Sequence, residues 1–251
     1  MAIGNGQKNN YFLCSFLSFA IRQRSTSYIH IVKVYFISGL AADGRVFKNL
    51  RLPSGFEPVY LDWIQPLKDE SLRAYALRLA EKIDRKEKFV LIGLSMGGMI
   101  AVEIANHIPV ELTIIIASIP FSNHLPYYFR VGARLYLHHI IPISLIKNAA
   151  IAKRLFTTET KEDKELLKSI IRESDPNFIK WALAAILKWN NGTAPQNFIH
   201  IHGSRDEILR IRFTKPTHTI PKAGHLMVMN RSQDINKILE TVLPSLLNSD
   251  S

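Results

Sequence analysis

A serine flanked by two glycines, Gly93-Leu94-Ser95-Met96-Gly97, offers this chain a nucleophile. A serine hydroxyl attacks a carbonyl only when a base takes its proton, and the base needs a carboxylate to orient it. Ala223-Gly224-His225 supplies a base late in the chain, and Gly224 permits the tight approach that carries an imidazole back over a sheet edge. In IHIHGSRDEILR, Asp206 stands three residues beyond Gly203 on the turn leaving the strand, with Glu207 as its rival. His200 and His202 alternate on a strand and read as a core or edge pair; His138 and His139 read as ordinary helix residues. Each candidate also has a plainer reading: a chance G-x-S-x-G, a surface-loop histidine, a solvated loop charge.

An acyl-transfer site also needs N–H donors for the oxyanion. Met96 opens the segment after Ser95, where a helix N-terminus presents a free N–H to an anion. The loop Ser38-Gly39-Leu40-Ala41-Ala42-Asp43 offers a second donor at Leu40, with Asp43 suited to capping a helical turn.

These groups need a scaffold that brings them to one rim. Phe89 to Leu94 reads as a buried strand and Gly98 to His107 as a helix, which places Ser95 on a sharp strand-to-helix turn. Further strands are expected at Val32 to Ser38, Phe56 to Trp63, Leu112 to Ile119, Phe198 to His202 and His218 to Pro221. Apolar residues at helical spacing predict helices over Ser71 to Arg85 and Ser232 to Leu247. Strands alternating with helices predict an α/β fold with a mostly parallel sheet flanked by helices. Between Ile119 and Phe198 the rhythm breaks into four helical patterns, Tyr127 to His139, Ile143 to Phe156, Lys161 to Glu173 and Asn177 to Trp189. So long a strandless stretch predicts an inserted helical lid over 122–194 within a core of 31–121 and 195–248.

The 251 residues suffice for one such domain, and 47% hydrophobic with 21% charged residues is ordinary globular composition. The single cysteine, Cys14, excludes an internal disulfide framework and a multi-cysteine zinc site. The formal charge of +11 comes from scattered residues with no nucleic-acid-binding motif, so no nucleic-acid partner is expected. Arg130, Arg134, Lys147, Lys153 and Arg154 are among the basic residues of the insert. They read as a solvated face or, more sharply, as a dock for an acidic acyl carrier or a phosphate-bearing thioester. No apolar run is long enough for a transmembrane segment. Residues 1–30 read as an extension outside the domain in a cytoplasmic protein, or as an exported one's cleaved signal if residues 1–20 are removed.

Four motifs, SGL, GLSMGG, HGSRD and AGH, resemble in type and order those of the α/β-hydrolase-fold serine hydrolases. Within that fold the chain is similar to small single-domain esterases and acyl-carrier-protein methyl ester esterases, from about Val32 to Leu247. The resemblance implies a triad of Ser95, Asp206 and His225, an oxyanion hole of Leu40 and Met96, and no metal or organic cofactor. It implies a hydrolase cleaving a small-molecule carboxylic ester or thioester through an acyl-enzyme. A ligand-binding receptor, an acyltransferase or a carbon–carbon lyase on the same fold is the alternative. The chain departs from the family pattern at Ser38, usually histidine, at Ala41, often glycine, and at Arg210, commonly proline. The strands that larger members carry ahead of the first core strand are missing, and the interval from Asp206 to His225 leaves room for one brief strand.

Overall fold

The computed structural model describes residues 1, 31–127, 129 and 160–247. Its centre is a six-stranded, wholly parallel sheet in the order β2-β1-β3-β4-β5-β6. The strands are β1 (Val32–Ile37), β2 (Phe56–Leu61), β3 (Phe89–Leu94), β4 (Leu112–Ile116), β5 (Phe198–Gly203) and β6 (His218–Ile220). All residues of β3 and β4 are buried, as strands covered on both faces must be.

Alternation along the strands feeds two cores. Val34, Phe36, Ile92 and Ile114 pack on one face against Ile235 and Leu239 of α6 (Ser232–Val242) and Ile170 of α3 (Lys161–Glu173). Tyr35, Ile37 and Leu91 pack on the other face against α1 (Leu72–Leu79), α2 (Met96–Ala105) and α4 (Pro176–Lys188). Each aliphatic side chain so buried contributes roughly 1.5–3 kcal/mol relative to exposure. α2 is buried from Met96 to Ile104, as a helix apolar on all sides must be. Periodicity did not suggest the short helix α5 (Met227–Asn230).

Within the described residues the expected elements are present, several with shifted ends, and the helix expected over Ser71 to Arg85 ends at Leu79 and passes into a 3-10 turn over Ala80–Lys82. β2 stops at Leu61 and β4 at Ile116, because their last apolar residues belong to loops folded back into the core. α2 starts at Met96, two residues early, since Ser95 already occupies the N-cap position. The closing helix ends at Val242 and tightens into a 3-10 turn over Pro244–Leu247, where proline has no N–H to continue the ladder. The patterns at Lys161 to Glu173 and Asn177 to Trp189 form α3 and α4. Those at Tyr127 to His139 and Ile143 to Phe156, with the five basic residues named above and His138 and His139, lie outside the described residues apart from Tyr127 and Phe129. So do residues 2–30.

The two ends of the segment between β4 and β5 are tied together beside the sheet. Buried Asn191 donates from Nδ2 to the Pro120 carbonyl at 2.8 Å and accepts the Ser122 N–H on its own carbonyl at 2.9 Å. Asn106 at the end of α2 donates to Asn191 Oδ1 at 3.2 Å. Nearby, Glu103 is buried but satisfied, accepting from Trp189 Nε1 at 2.6 Å and Arg73 Nε at 3.0 Å. The return limb is thus tied to both α1 and α2.

Strand order places the chemistry. The chain runs from β1 out to β2 on one side and then crosses back to β3 on the other, so the strand order reverses at the C-terminal ends of β1 and β3, where such sheets bind ligands. Ile37 pairs in register with Gly93, so the loop after β1 and the turn after β3 emerge level with one another.

Candidate active site

Ser95 sits on that turn with φ 53° and ψ −118°, a conformation few non-glycine residues adopt. Its neighbours must be small for the turn to exist. A Cβ on Gly97 would lie 2.2 Å from the carbonyl oxygens of both Ile37 and Ser38, and one on Gly93 2.3 Å from the Gly97 carbonyl oxygen. Strain at such a residue costs about 1–3 kcal/mol and persists only where the surroundings hold it. The hold is visible: Ser95 N–H donates to the Ile116 carbonyl at 2.9 Å, and the Ser118 hydroxyl donates to the Ser95 carbonyl at 2.6 Å. Gly97→Ala is therefore expected to displace β1 and to cost about 3 kcal/mol or more. A urea midpoint within error of wild type, at unchanged m, would refute this.

The three residues singled out in the sequence come together. His225 Nε2 lies 2.9 Å from Ser95 Oγ, and His225 Nδ1 lies 2.7 Å from Asp206 Oδ2. Asp206 is fixed at its other oxygen, where Oδ1 accepts the N–H groups of Ile208 and Leu209, each at 2.9 Å. Glu207, the rival carboxylate, is exposed. Gly203 lets the two loops meet, because a Cβ there would lie 2.3 Å from the Ala223 carbonyl oxygen. Ser95 is half-buried, while His225 and Asp206 are buried.

Burial alone would raise the Asp206 pKa. The charge and hydrogen bond of His225, then His202 and the Leu209 N–H, outweigh it, and the carboxyl titrates below the usual carboxylate range. A carboxylate that stays ionised next to Nδ1 keeps the proton on Nδ1, so Nε2 faces Ser95 as an acceptor. That is the tautomer a general base requires.

Both expected oxyanion donors border this point. Among the described residues neither the Leu40 nor the Met96 N–H donates to another protein group. A Cβ on Gly39 would stand 3.4 Å from Ser95 Cβ, so the loop after β1 abuts the serine. Ala41 carries a φ of 56°, the value for which the sequence pattern would favour glycine. Asp43 accepts the Arg45 N–H at 2.9 Å and caps a 3-10 turn over Gly44–Phe47.

Behind Asp206 runs a second polar line that the sequence showed only as two alternating histidines. His202 Nε2 is 2.6 Å from the Leu209 carbonyl oxygen and 3.5 Å from Asp206 Oδ2. Both of these atoms can only accept, so Nε2 carries the proton and Nδ1 accepts from His200 Nε2 at 3.0 Å. His200 Nδ1 is left as a buried acceptor with no partner among the described residues. Burial, and then the neighbouring His202, hold the His200 pKa down to about 3; burial also lowers that of His202. A base whose folded pKa is depressed costs stability as pH falls, because the unfolded chain takes the proton first. His200 should therefore make stability fall between about pH 6.5 and pH 3, by up to about 1.4 kcal/mol per pH unit. His200→Gln keeps a donor for His202 and cannot be protonated; its stability–pH curve, from urea unfolding, should be shallower in that window. A slope equal to wild type would exclude the assignment.

Ser118 and His202 had no sequence signal beyond their places at strand ends. The Ser118 hydroxyl meets Ser95 through tertiary structure alone, across the β3–β4 pairing.

Comparison with known proteins adds a family. Residues 34–238 match the family model described as "Alpha/beta hydrolase family". MenH from S. aureus superposes with a TM-score of 0.66 at 19% identity, covering 86% of this chain and 94% of its own. A thermophilic esterase from Thermogutta terrifontis gives 0.67 at 18%, over 86% and 90%. The enol-lactonase from Burkholderia xenovorans LB400 gives 0.64 at 15%, over 85% and 92%. These likenesses are of fold. No curated protein matches the sequence.

Proposed function

The chain belongs to the alpha/beta hydrolase family, and from that premise we propose that it is a serine hydrolase cleaving a small-molecule carboxylic ester or thioester through an acyl-enzyme. The observation that carries this reading is the unbroken line from Ser95 Oγ through His225 to Asp206, with contacts of 2.9 Å and 2.7 Å. In the proposed cycle, Ser95 Oγ attacks the carbonyl carbon as His225 Nε2 takes its proton. The N–H groups of Leu40 and Met96 receive the oxyanion. His225 returns the proton to the leaving group, and the bond from carbonyl carbon to leaving group breaks. Water, deprotonated by the same nitrogen, then attacks the acyl carbon, and the proton passes to Ser95 Oγ as the acyl–serine bond breaks. Asp206 holds the imidazole throughout and stabilises its charged form.

Preorganisation supports this reading over a binding protein of the same fold. A strained serine costs stability, and a passive receptor gains nothing from a base aligned on it. An activated ester should give a burst of p-nitrophenol equal to the enzyme concentration, and a fluorophosphonate should label Ser95. No burst together with no labelling would favour the receptor reading. A burst without turnover in water, relieved by an added alcohol or thiol, would favour acyl transfer. Among the described residues no helix is long and apolar enough to cross a membrane.

A further inference from the structure

The carbonyl of Ala42 is gripped from two sides. Ser38 Oγ donates to it at 2.9 Å and Trp63 Nε1 donates to it at 2.8 Å. Neither contact was foreseeable, because Trp63 lies beyond the end of β2, on the neighbouring strand's exit. Ala42 is itself the last residue of a tight turn, with its N–H donating to the Gly39 carbonyl at 3.0 Å. Ala41, the third residue of that turn, takes the positive φ that a type II turn demands there.

The consequence lies in one peptide plane. The Gly39 carbonyl and the Leu40 N–H belong to the same planar unit and point in opposite directions. Holding the Gly39 carbonyl toward Ala42 therefore turns the Leu40 N–H outward, on the side where Gly39 approaches Ser95. Ala42 can do this only while it is fixed, and its fixation comes from Ser38 and Trp63. Trp63 is held in turn. Its ring lies 5.1 Å from Phe178 of α4 and 6.3 Å from Tyr75 of α1. The Tyr75 hydroxyl both donates to and accepts from the backbone of Ile64, each at 2.9 Å. Alanine at position 41 makes such a grip necessary, since its left-handed conformation is one that L side chains resist.

We propose that Trp63, assisted by Ser38, is the positioning residue of the oxyanion loop, aiming the Leu40 N–H at the substrate oxygen. The role rests on the serine-hydrolase reading above. Two substitutions separate the donor from the bulk. Trp63→Phe keeps an aromatic ring against Phe178 and Tyr75 and loses the N–H. Trp63→His loses the benzene ring and keeps an N–H at the same place in a five-membered ring. If the donor matters, Trp63→Phe lowers kcat on a p-nitrophenyl ester by about tenfold, short of the 10²–10³-fold of a donor removed outright. KM stays within about twofold, because the oxyanion forms after binding. The affinity of a boronic acid, whose adduct with serine places an oxygen in the same hole, drops by the same factor. Trp63→His then retains more activity than Trp63→Phe while melting at a lower temperature. The role is overturned by wild-type kcat in Trp63→Phe. It is equally overturned by losses in both variants that follow their melting temperatures. Wild-type turnover that survives Ser95→Ala would instead remove the serine reading, and this role with it.

Discussion

Ser95→Ala is expected to lower kcat toward p-nitrophenyl esters by about 10⁶-fold, leaving only what the binding site and oxyanion donors supply. The expectation follows from geometry. His225 Nε2 faces Ser95 Oγ at 2.9 Å, while Asp206 holds the same ring from its other nitrogen at 2.7 Å. Alanine leaves the backbone strain in place, so its thermal midpoint should stay close to that of wild type. Ser95→Gly differs in a useful way. Glycine adopts φ 53° and ψ −118° readily, so this variant should be equally inactive yet more stable by about 1 kcal/mol. For a chain of this size that raises the melting temperature by about 2–4 °C. An inactive variant that melts above wild type would show that folding energy is spent on aiming the hydroxyl. Activity retained in Ser95→Ala beyond trace contamination would remove the serine from the chemistry.

Asp206→Asn is expected to lower kcat by about 10⁴-fold while changing few contacts. Asp206 Oδ1 accepts two backbone N–H groups, from Ile208 and Leu209, so the amide oxygen of asparagine must settle there. The NH₂ group then falls where Oδ2 was, facing His225 Nδ1 and His202 Nε2. Two donors cannot share a line, so His225 shifts its proton to Nε2 and points N–H at Ser95. The imidazole is still present but no longer able to accept. Stability follows the carboxylate too. Its pKa is depressed in the folded chain, so its contribution is present above the ordinary carboxylate range and vanishes as pH falls through the lowered value. Wild type and Asp206→Asn should thus converge in stability at strongly acidic pH. Glu207→Gln, at an exposed position, should leave kcat unchanged. A loss below tenfold in Asp206→Asn would mean that His225 is oriented by another group.

The readable and unreadable parts of this chain divide along a physical line. Signals carried within one element survive in sequence. The apolar run Phe89–Leu94, the glycines at 93 and 97 and the amphipathic Lys161–Glu173 each state their own conformation. So do residues whose neighbours are fixed by strand order, which is why Ser95, Asp206 and His225 were legible as a set. Contacts that depend on which side chain lies opposite which backbone atom were not. Ser38 read as the end of the first strand and a departure from histidine, yet its hydroxyl grips Ala42. Trp63 read as the end of a strand, yet its indole reaches across the loop after β1. Helix and strand ends moved by up to six residues, in places for local reasons such as the missing N–H of Pro244 and the N-cap place of Ser95.

The knot of amides around Asn191 has a consequence for ancestry. Because the excursion after β4 exits and comes home at one hydrogen-bonded gate, changes of length inside it need not move the ends of β4 and β5. α3 and α4 are not so free to be exchanged, since Ile170 and Phe178 pack into the cores on the two faces of the sheet. New molecular tastes can therefore be grafted onto old chemistry only where a replacement keeps those two helices seated.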